Sequence, residues 1–227
     1  MPSSTDAINK VLLHEGGYVN NPKDAGKRTN LGITQKVYET FLGRKLIGPD
    51  TDAPKGQPMS EAESVMRNLP KGNAIAIYKK NYWDMVQGDK IKSYAVAYAL
   101  FDQAVNRGHN KVVSQAQAIL GVPVDGVAGP IFVAAINKMP EKTFLDKFLA
   151  ASKQSYIDIV KNNPSQSVFL NGWMKRLDSV TDYVSKNKAV VAATGIGFVA
   201  VLLLAGYLLT RKPSTSSSTS KSKAIYG

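Results

Sequence analysis

The 227-residue sequence contains no cysteine. That removes disulfides, thiolate metal sites and cysteine nucleophiles together. Histidine is scarce as well: the two present, His14 and His109, lie far apart and show no metal-ligand spacing. Neither a metal site nor any other cofactor is expected. The opening residues Met1-Pro2-Ser3-Ser4-Thr5-Asp6 contain no apolar run, so they do not read as a secretory leader. Acids are few, 17 Asp and Glu against 29 Lys and Arg, for a net charge of +12. Residues 189–227 hold four bases and no acid, which leaves +8 on residues 1–188. Such a surface attracts nucleic acid, anionic lipid or wall polymer, and it equally suits a merely soluble basic protein. Aromatics do not interleave with a basic stripe, so nucleic acid is not an expected partner. Internal repeats are absent, and no feature points to an obligate protein partner.

What is present is mostly helical patterning. Ser3, Ser4, Thr5 and Asp6 are good N-cap residues, and Ile8, Val11 and Leu12 follow at helical spacing. Gly16-Gly17 should end that helix near Glu15. Residues 18–34 read as turns and short extended pieces, with at most a small hairpin. Pro49, Pro54 and Pro58 make 44–59 a loop. Ser60-Glu61-Ala62-Glu63 fits a capping box opening a helix that Pro70 stops. Ile75, Tyr78 and Tyr82 mark another helix, and a longer one runs from about Ser93 to Arg107, closed by Gly108. Shorter helices follow from Val113 to Leu120 and after the Asp125-Gly126 turn, where Pro130 suits a first helical turn. Two more cover roughly 141–161 and 168–186.

Residues 189–210 differ from everything before them. They carry no charge over about 22 residues, or about 33 Å as a helix, enough to span a bilayer. Lys186 and Lys188 precede the run, and Arg211 and Lys212 follow it. A buried core helix is the other reading, but a run apolar on all sides at the end of the folded sequence reads as a membrane span. The Ser/Thr/Lys-rich residues 213–227 are low in complexity and are expected to be disordered.

The chemistry concentrates in Leu13–Thr34. Glu15 follows an amphipathic helix at once, then come two glycines, a polar loop with Asp24, Thr29, and Asn30-Leu31-Gly32-Ile33-Thr34. A glycosidase needs a proton donor on a rigid element facing a second polar group across a cleft, and this stretch could supply both. Glu15 would be the acid, with Leu12 or Ile33 providing the apolar packing that favours a retained proton. Asp24 also reads as an Asx-turn residue next to Pro22. Tyr18, Tyr82 and Trp83 could stack on sugar faces, although helix packing is the commoner role for such aromatics. Asn106-Arg107-Gly108 reads as a helix end first and a substrate contact second.

Glu15-Gly16-Gly17-Tyr18 and Thr29-Asn30-Leu31-Gly32-Ile33-Thr34 resemble the catalytic motif of the muramidases of glycoside hydrolase family 108. Phe101–Gly108, Val124–Pro130 and Asn171–Arg176 look like signatures of the same family's downstream helical, peptidoglycan-binding region, in order. The likeness covers about residues 6–180 and departs in one loop, where the usual Asp-Pro-Gly-Gly is Asp24-Ala25-Gly26-Lys27 and places a cation close to the site. The resemblance implies a mainly α, lysozyme-like domain with a small β/loop element at the active site, joined here to one C-terminal transmembrane helix. It implies a catalytic part at 1–92, a helical wall-binding part at 93–185 packed on it, the span with its basic flanks at 186–212, and the tail at 213–227. By its similarity to phage-type lysozymes, Asp24 would stabilise positive charge or activate water and Thr29 would orient that water, with Tyr18, Asn30, Tyr82, Trp83 and Asn106 contacting substrate. The implied activity is hydrolysis of the β-1,4 bond between N-acetylmuramic acid and N-acetylglucosamine. A lytic transglycosylase and a non-catalytic wall-binding membrane protein are the alternatives. The expected partners are peptidoglycan and, through residues 189–210, a lipid bilayer. The expected location is single-pass in the virion membrane of a lipid-containing bacteriophage, otherwise in the host inner membrane.

Overall fold

In the computed structural model, residues 3–13, 15–21 and 26–188 are described, and within them residues up to 187 belong to one compact unit. The expected span at 189–210 and the tail at 213–227 lie outside the described residues. Among the described residues, no helix is long and apolar enough to cross a membrane.

Helix α1 (Ser4–Leu12) opens on a complete capping box: Ser3 Oγ accepts from the Asp6 N–H at 3.3 Å, and the Ser3 N–H donates to Asp6 Oδ2 at 2.7 Å. It buries Ala7, Ile8, Val11 and Leu12. The helix ends at Leu12 rather than near Glu15, so Glu15 sits in the turn beyond it, with its N–H on the Leu12 carbonyl at 3.3 Å. Three short strands follow, β1 (Val19–Asn21), β2 (Lys27–Asn30) and β3 (Ile33–Thr34). They form an antiparallel sheet in that order, with Val19 opposite Thr29 and Thr29 opposite Thr34.

After α2 (Gln35–Leu42), the Pro-rich stretch to residue 60 has no regular structure, as its composition predicts. One fully buried side chain on β2, Arg28, holds it in place. Arg28 Nη2 donates to the carbonyls of Pro49 at 2.6 Å and Thr51 at 2.8 Å, and Nε reaches Asp52 at 3.3 Å. Backbone oxygens drawn away from water are thereby satisfied by a charged donor. Asp52 is the junction of this region: it also accepts from Tyr18 Oη at 2.6 Å, Asn20 Nδ2 at 2.8 Å and Arg67 Nη2 at 2.9 Å.

The rest is helical: α3 (Glu61–Arg67), α4 (Lys71–Tyr78), α5 (Tyr94–Arg107), α6 (His109–Leu120), α7 (Pro130–Lys138), α8 (Glu141–Asn162) and α9 (Ser167–Lys188). Ser60 caps α3 at the Glu63 N–H, but Glu63 does not return the bond. Its carboxylate goes instead to Ala53 N and Arg67 Nε. The core centres on α5, where every residue from Val96 to Ala104 is buried. Around it lie α1, α6, α8 and a π-helical turn, Lys79–Trp83, that continues α4. Helix α9 buries Leu177 and packs Val180 and Tyr183 on the core, the Tyr183 ring meeting that of Tyr98 of α5 at 4.5 Å.

Burial works against the charge of Asp52, yet hydrogen bonds from Tyr18 and Asn20 and the charges of Arg67 and Arg28 outweigh it and hold the carboxyl below its ordinary 3.8. A lowered carboxyl stabilises the fold above the unfolded value, and that contribution is lost as pH falls through the folded one. Asp52→Asn is therefore expected to cost about 1–3 kcal/mol at neutral pH and to flatten the fall in Tm below pH 3.8. Thermal melts of both proteins between pH 7 and pH 2 check this; parallel acid limbs would contradict it.

Candidate active site

Glu15 is held from two sides. Its own N–H caps the end of α1, and the next carbonyl, that of Gly16, accepts from the Leu31 N–H at 3.1 Å. That bond ties the acid's turn to the tip of the β2–β3 hairpin. The tip is a two-residue turn with positive φ at both centres, +50° at Leu31 and +72° at Gly32, the type I′ geometry that suits the twist of paired strands.

Gly32 is required for a second reason. A Cβ built there would stand 2.4 Å from Tyr78 Oη and 2.6 Å from Glu15 Oε2. The missing side chain is what lets the carboxylate and the phenol approach the hairpin. Tyr78, buried at the end of α4, donates its hydroxyl to the Leu31 carbonyl at 3.1 Å. Its ring lies 5.5 Å from that of Tyr82. Burial pushes both tyrosine hydroxyls up, and the Glu15 charge adds to the shift. By contrast, a Cβ at Gly16 or Gly17 meets nothing within 4 Å.

The fourth side of the acid is a cation. Arg176, on α9, places Nη1 3.6 Å from Glu15 Oε1, while its Nε lies 3.2 Å from each oxygen of Asp102 on α5. Asp102 is only 2 % exposed. Burial opposes the Arg176 charge, but Asp102 and then Glu15 outweigh it and hold the guanidinium above its usual value. Arg176 Nη2 is buried with no hydrogen-bond partner among the described residues.

The residues expected at the site from sequence separate into groups. Glu15 and Tyr82 come together, joined by Tyr78 and Arg176, which the sequence reading left out. Thr29 lies half-buried on the middle strand, on the face opposite the buried Arg28 and Asn30. Asp24 lies outside the described residues. Asn30, expected to contact substrate, is buried, and its amide donates to the carbonyls of Met66 at 2.8 Å and Arg67 at 3.1 Å, so it fastens the sheet to α3. Trp83 is a core residue, 2 % exposed, with Nε1 on Asp89 at 2.7 Å and its ring edge-on to Phe101. Tyr18 gives its hydroxyl to Asp52, and its ring lies under the Arg67 guanidinium at 4.1 Å; burial first, then the bond to Asp52 and its charge, push the hydroxyl up to about 12. Asn106 donates to Tyr156 Oη at 2.6 Å and lines a concavity of about 570 Å³ with Arg107 and Trp173 whose walls do not include Glu15. Lys27, the cation expected near the site, is paired with Asp50 at 2.6 Å.

Arg176 and Asp102 do lie in the sequence blocks 171–176 and 101–108, which was the available signal. Tyr78 had none beyond its helical spacing. The described residues contain no group of His, Asp and Glu able to hold a metal ion. A carboxylate between a tight hairpin, two tyrosines and a guanidinium can donate or accept a proton at a fixed point.

Residues 8–108 match the family Glycosyl hydrolase 108, and residues 111–178 match the family Predicted Peptidoglycan domain. A solved structure of SagA from Brucella abortus is 31% identical, over 81% of this chain and 94% of that one, with a TM-score of 0.61. No protein of curated function matches the chain.

Gly32→Ala is expected to displace the carboxylate or the phenol and to add backbone strain. Because misplacing a reacting group by about 1 Å costs roughly 10²-fold, glycan-cleaving activity should fall on that order. Gly17→Ala should leave the unfolding free energy within about 0.5 kcal/mol of the parent. Activity assays on the first variant and melts on both check this; a fully active Gly32→Ala protein would contradict it.

Proposed function

Because the chain belongs to the glycosyl hydrolase 108 family and is thus a glycoside hydrolase acting on peptidoglycan, we propose that it is a muramidase. The bond cut is the β-1,4 linkage between N-acetylmuramic acid and N-acetylglucosamine. The observation that supports this most is the placement of Glu15, whose carboxylate is fixed against the Gly32 hairpin beside Tyr78 and Arg176.

In this reading Glu15 gives its proton to the departing glycosidic oxygen while positive charge develops on the sugar ring. Asp24 stabilises that charge or activates the incoming water, and Thr29 orients the water; their support is their spacing from Glu15. Tyr82, half-buried beside Tyr78, offers a ring face to the sugar. Tyr18, Asn30 and Trp83 act through the framework that carries the site, since their polar atoms are bonded within it.

We also propose that the enzyme is held at a membrane through residues 189–210. The support is the uncharged run and the bases on both sides of it. A wall-cutting unit tethered in this way fits the membrane of a lipid-containing bacteriophage, or otherwise a host inner membrane.

Glu15→Gln keeps shape and removes the proton. Removing a general acid costs about 10²–10⁴-fold, so release of soluble muropeptides from purified sacculi should fall by that factor at unchanged Tm. Equal release by both proteins would refute the assignment. Mass spectrometry of the products should show reducing N-acetylmuramic acid ends; anhydro ends would replace hydrolysis with transglycosylase chemistry. Alkaline-carbonate washing should leave the full chain with membranes and release a variant lacking residues 189–210.

A further inference from the structure

The cation beside Glu15 does not come from the segment that carries the acid. Arg176 belongs to α9, inside the stretch 111–178 that matches a predicted peptidoglycan domain. We propose that Arg176 and Asp102 are a positioning pair that sets the charge around Glu15, so that the C-terminal helical segment completes the catalytic centre in addition to any hold it has on wall. This inference rests on Glu15 being the acid.

The geometry assigns the two contacts of Arg176 different weights. Its Nε lies 3.2 Å from both Asp102 oxygens, whereas Nη1 stands 3.6 Å from Glu15. The first contact fixes the guanidinium; the second, beyond ordinary hydrogen-bond length, is a charge-to-charge contact. A carboxylate as buried as Asp102 needs a counter-charge, and Arg176 is the cation placed to give it. The acid thus faces a cation that is already partly neutralised from behind. With Asp102 behind it, Arg176 can orient the Glu15 carboxylate while presenting less than its full charge.

Around Glu15 stand Tyr78 at the end of α4, Tyr82 in the π turn and Arg176 on α9. Asp102 of α5 lies behind Arg176, and Tyr98 of α5 and Tyr156 of α8 face the pair. Burial raises all four tyrosine hydroxyls, so these phenols stay neutral where the enzyme would work. Charge in this group therefore changes only through the carboxylates and the guanidinium. Removing the Asp102 charge leaves the surroundings of Glu15 more positive. Removing the Arg176 charge leaves them more negative. The two changes must act in opposite directions.

The test uses the full chain and follows release of soluble muropeptides from purified sacculi against pH, at saturating and limiting substrate. Asp102→Asn should move the alkaline limb of kcat to lower pH by about one unit, and Arg176→Met should move it to higher pH. Arg176→Lys keeps the charge but loses the fork, so the limb should stay within about 0.3 unit while kcat falls and KM is unchanged. If Arg176→Met does not fold, the Asp102→Asn shift and the Lys variant decide the matter. Limbs that stay in place while rates fall at every pH, or that move the same way in both charge variants, would overturn the proposal. An active Glu15→Gln protein would instead overturn the reading of Glu15; an inactive one with unmoved limbs would overturn only the pair.

Discussion

A carboxylate inside a helix that is buried along nine consecutive residues must find a positive partner, and the fold is arranged so that one arrives. Asp102 sits in that helix, and Arg176 reaches it from α9, 74 residues further along the chain. For the guanidinium to lie there, α9 must run across α5, which it does by seating Val180 and Tyr183 against the core. Once placed, the same guanidinium faces the turn after α1. One buried ion pair thus connects the first helix, the central helix and the last helix of the described unit.

The sheet solves a different problem, that of presenting a small acidic turn without a large scaffold. Three strands of two to four residues would not be stable alone. They are held because Arg28 and Asn30, on one face of β2, reach inward to backbone carbonyls of the 49–51 loop and of α3. Thr29 is left on the other face. The alternation of a single four-residue strand therefore divides structural residues from the one proposed to meet water.

Much of the fold was legible in the sequence because its signals are local. Ser60 and Ser93 cap the helices expected of them, Gly108 ends α5, and Pro130 starts α7. The Asp125-Gly126 turn forms as expected, with Gln117 accepting from both backbone N–H groups. The end of α1 came three residues early, since the two glycines mark where a helix must already be over and not where it stops. Tyr82 and Trp83 are neighbours of the same type in sequence, yet one stands by the acid and the other is in the core; a π turn sets which way each faces, and helical periodicity does not register it. Gly32 was read as part of a motif, while the reason for it, two side chains converging from residues 15 and 78, is visible only in three dimensions. The same holds for Arg28, whose partners are carbonyls with no sequence signature.

The separation of Glu15 from Arg176 has a consequence for synthesis. A ribosome adding about 5–20 residues per second needs on the order of ten to thirty seconds to travel from one to the other. Throughout that time Glu15 and the hairpin residues have been made, but the guanidinium that faces the acid has not. A nascent or prematurely terminated chain therefore carries Glu15 without its cation, and their contact forms only once α9 packs against α5. On the role proposed for Arg176, incomplete chains are held without a finished site by the order of synthesis alone.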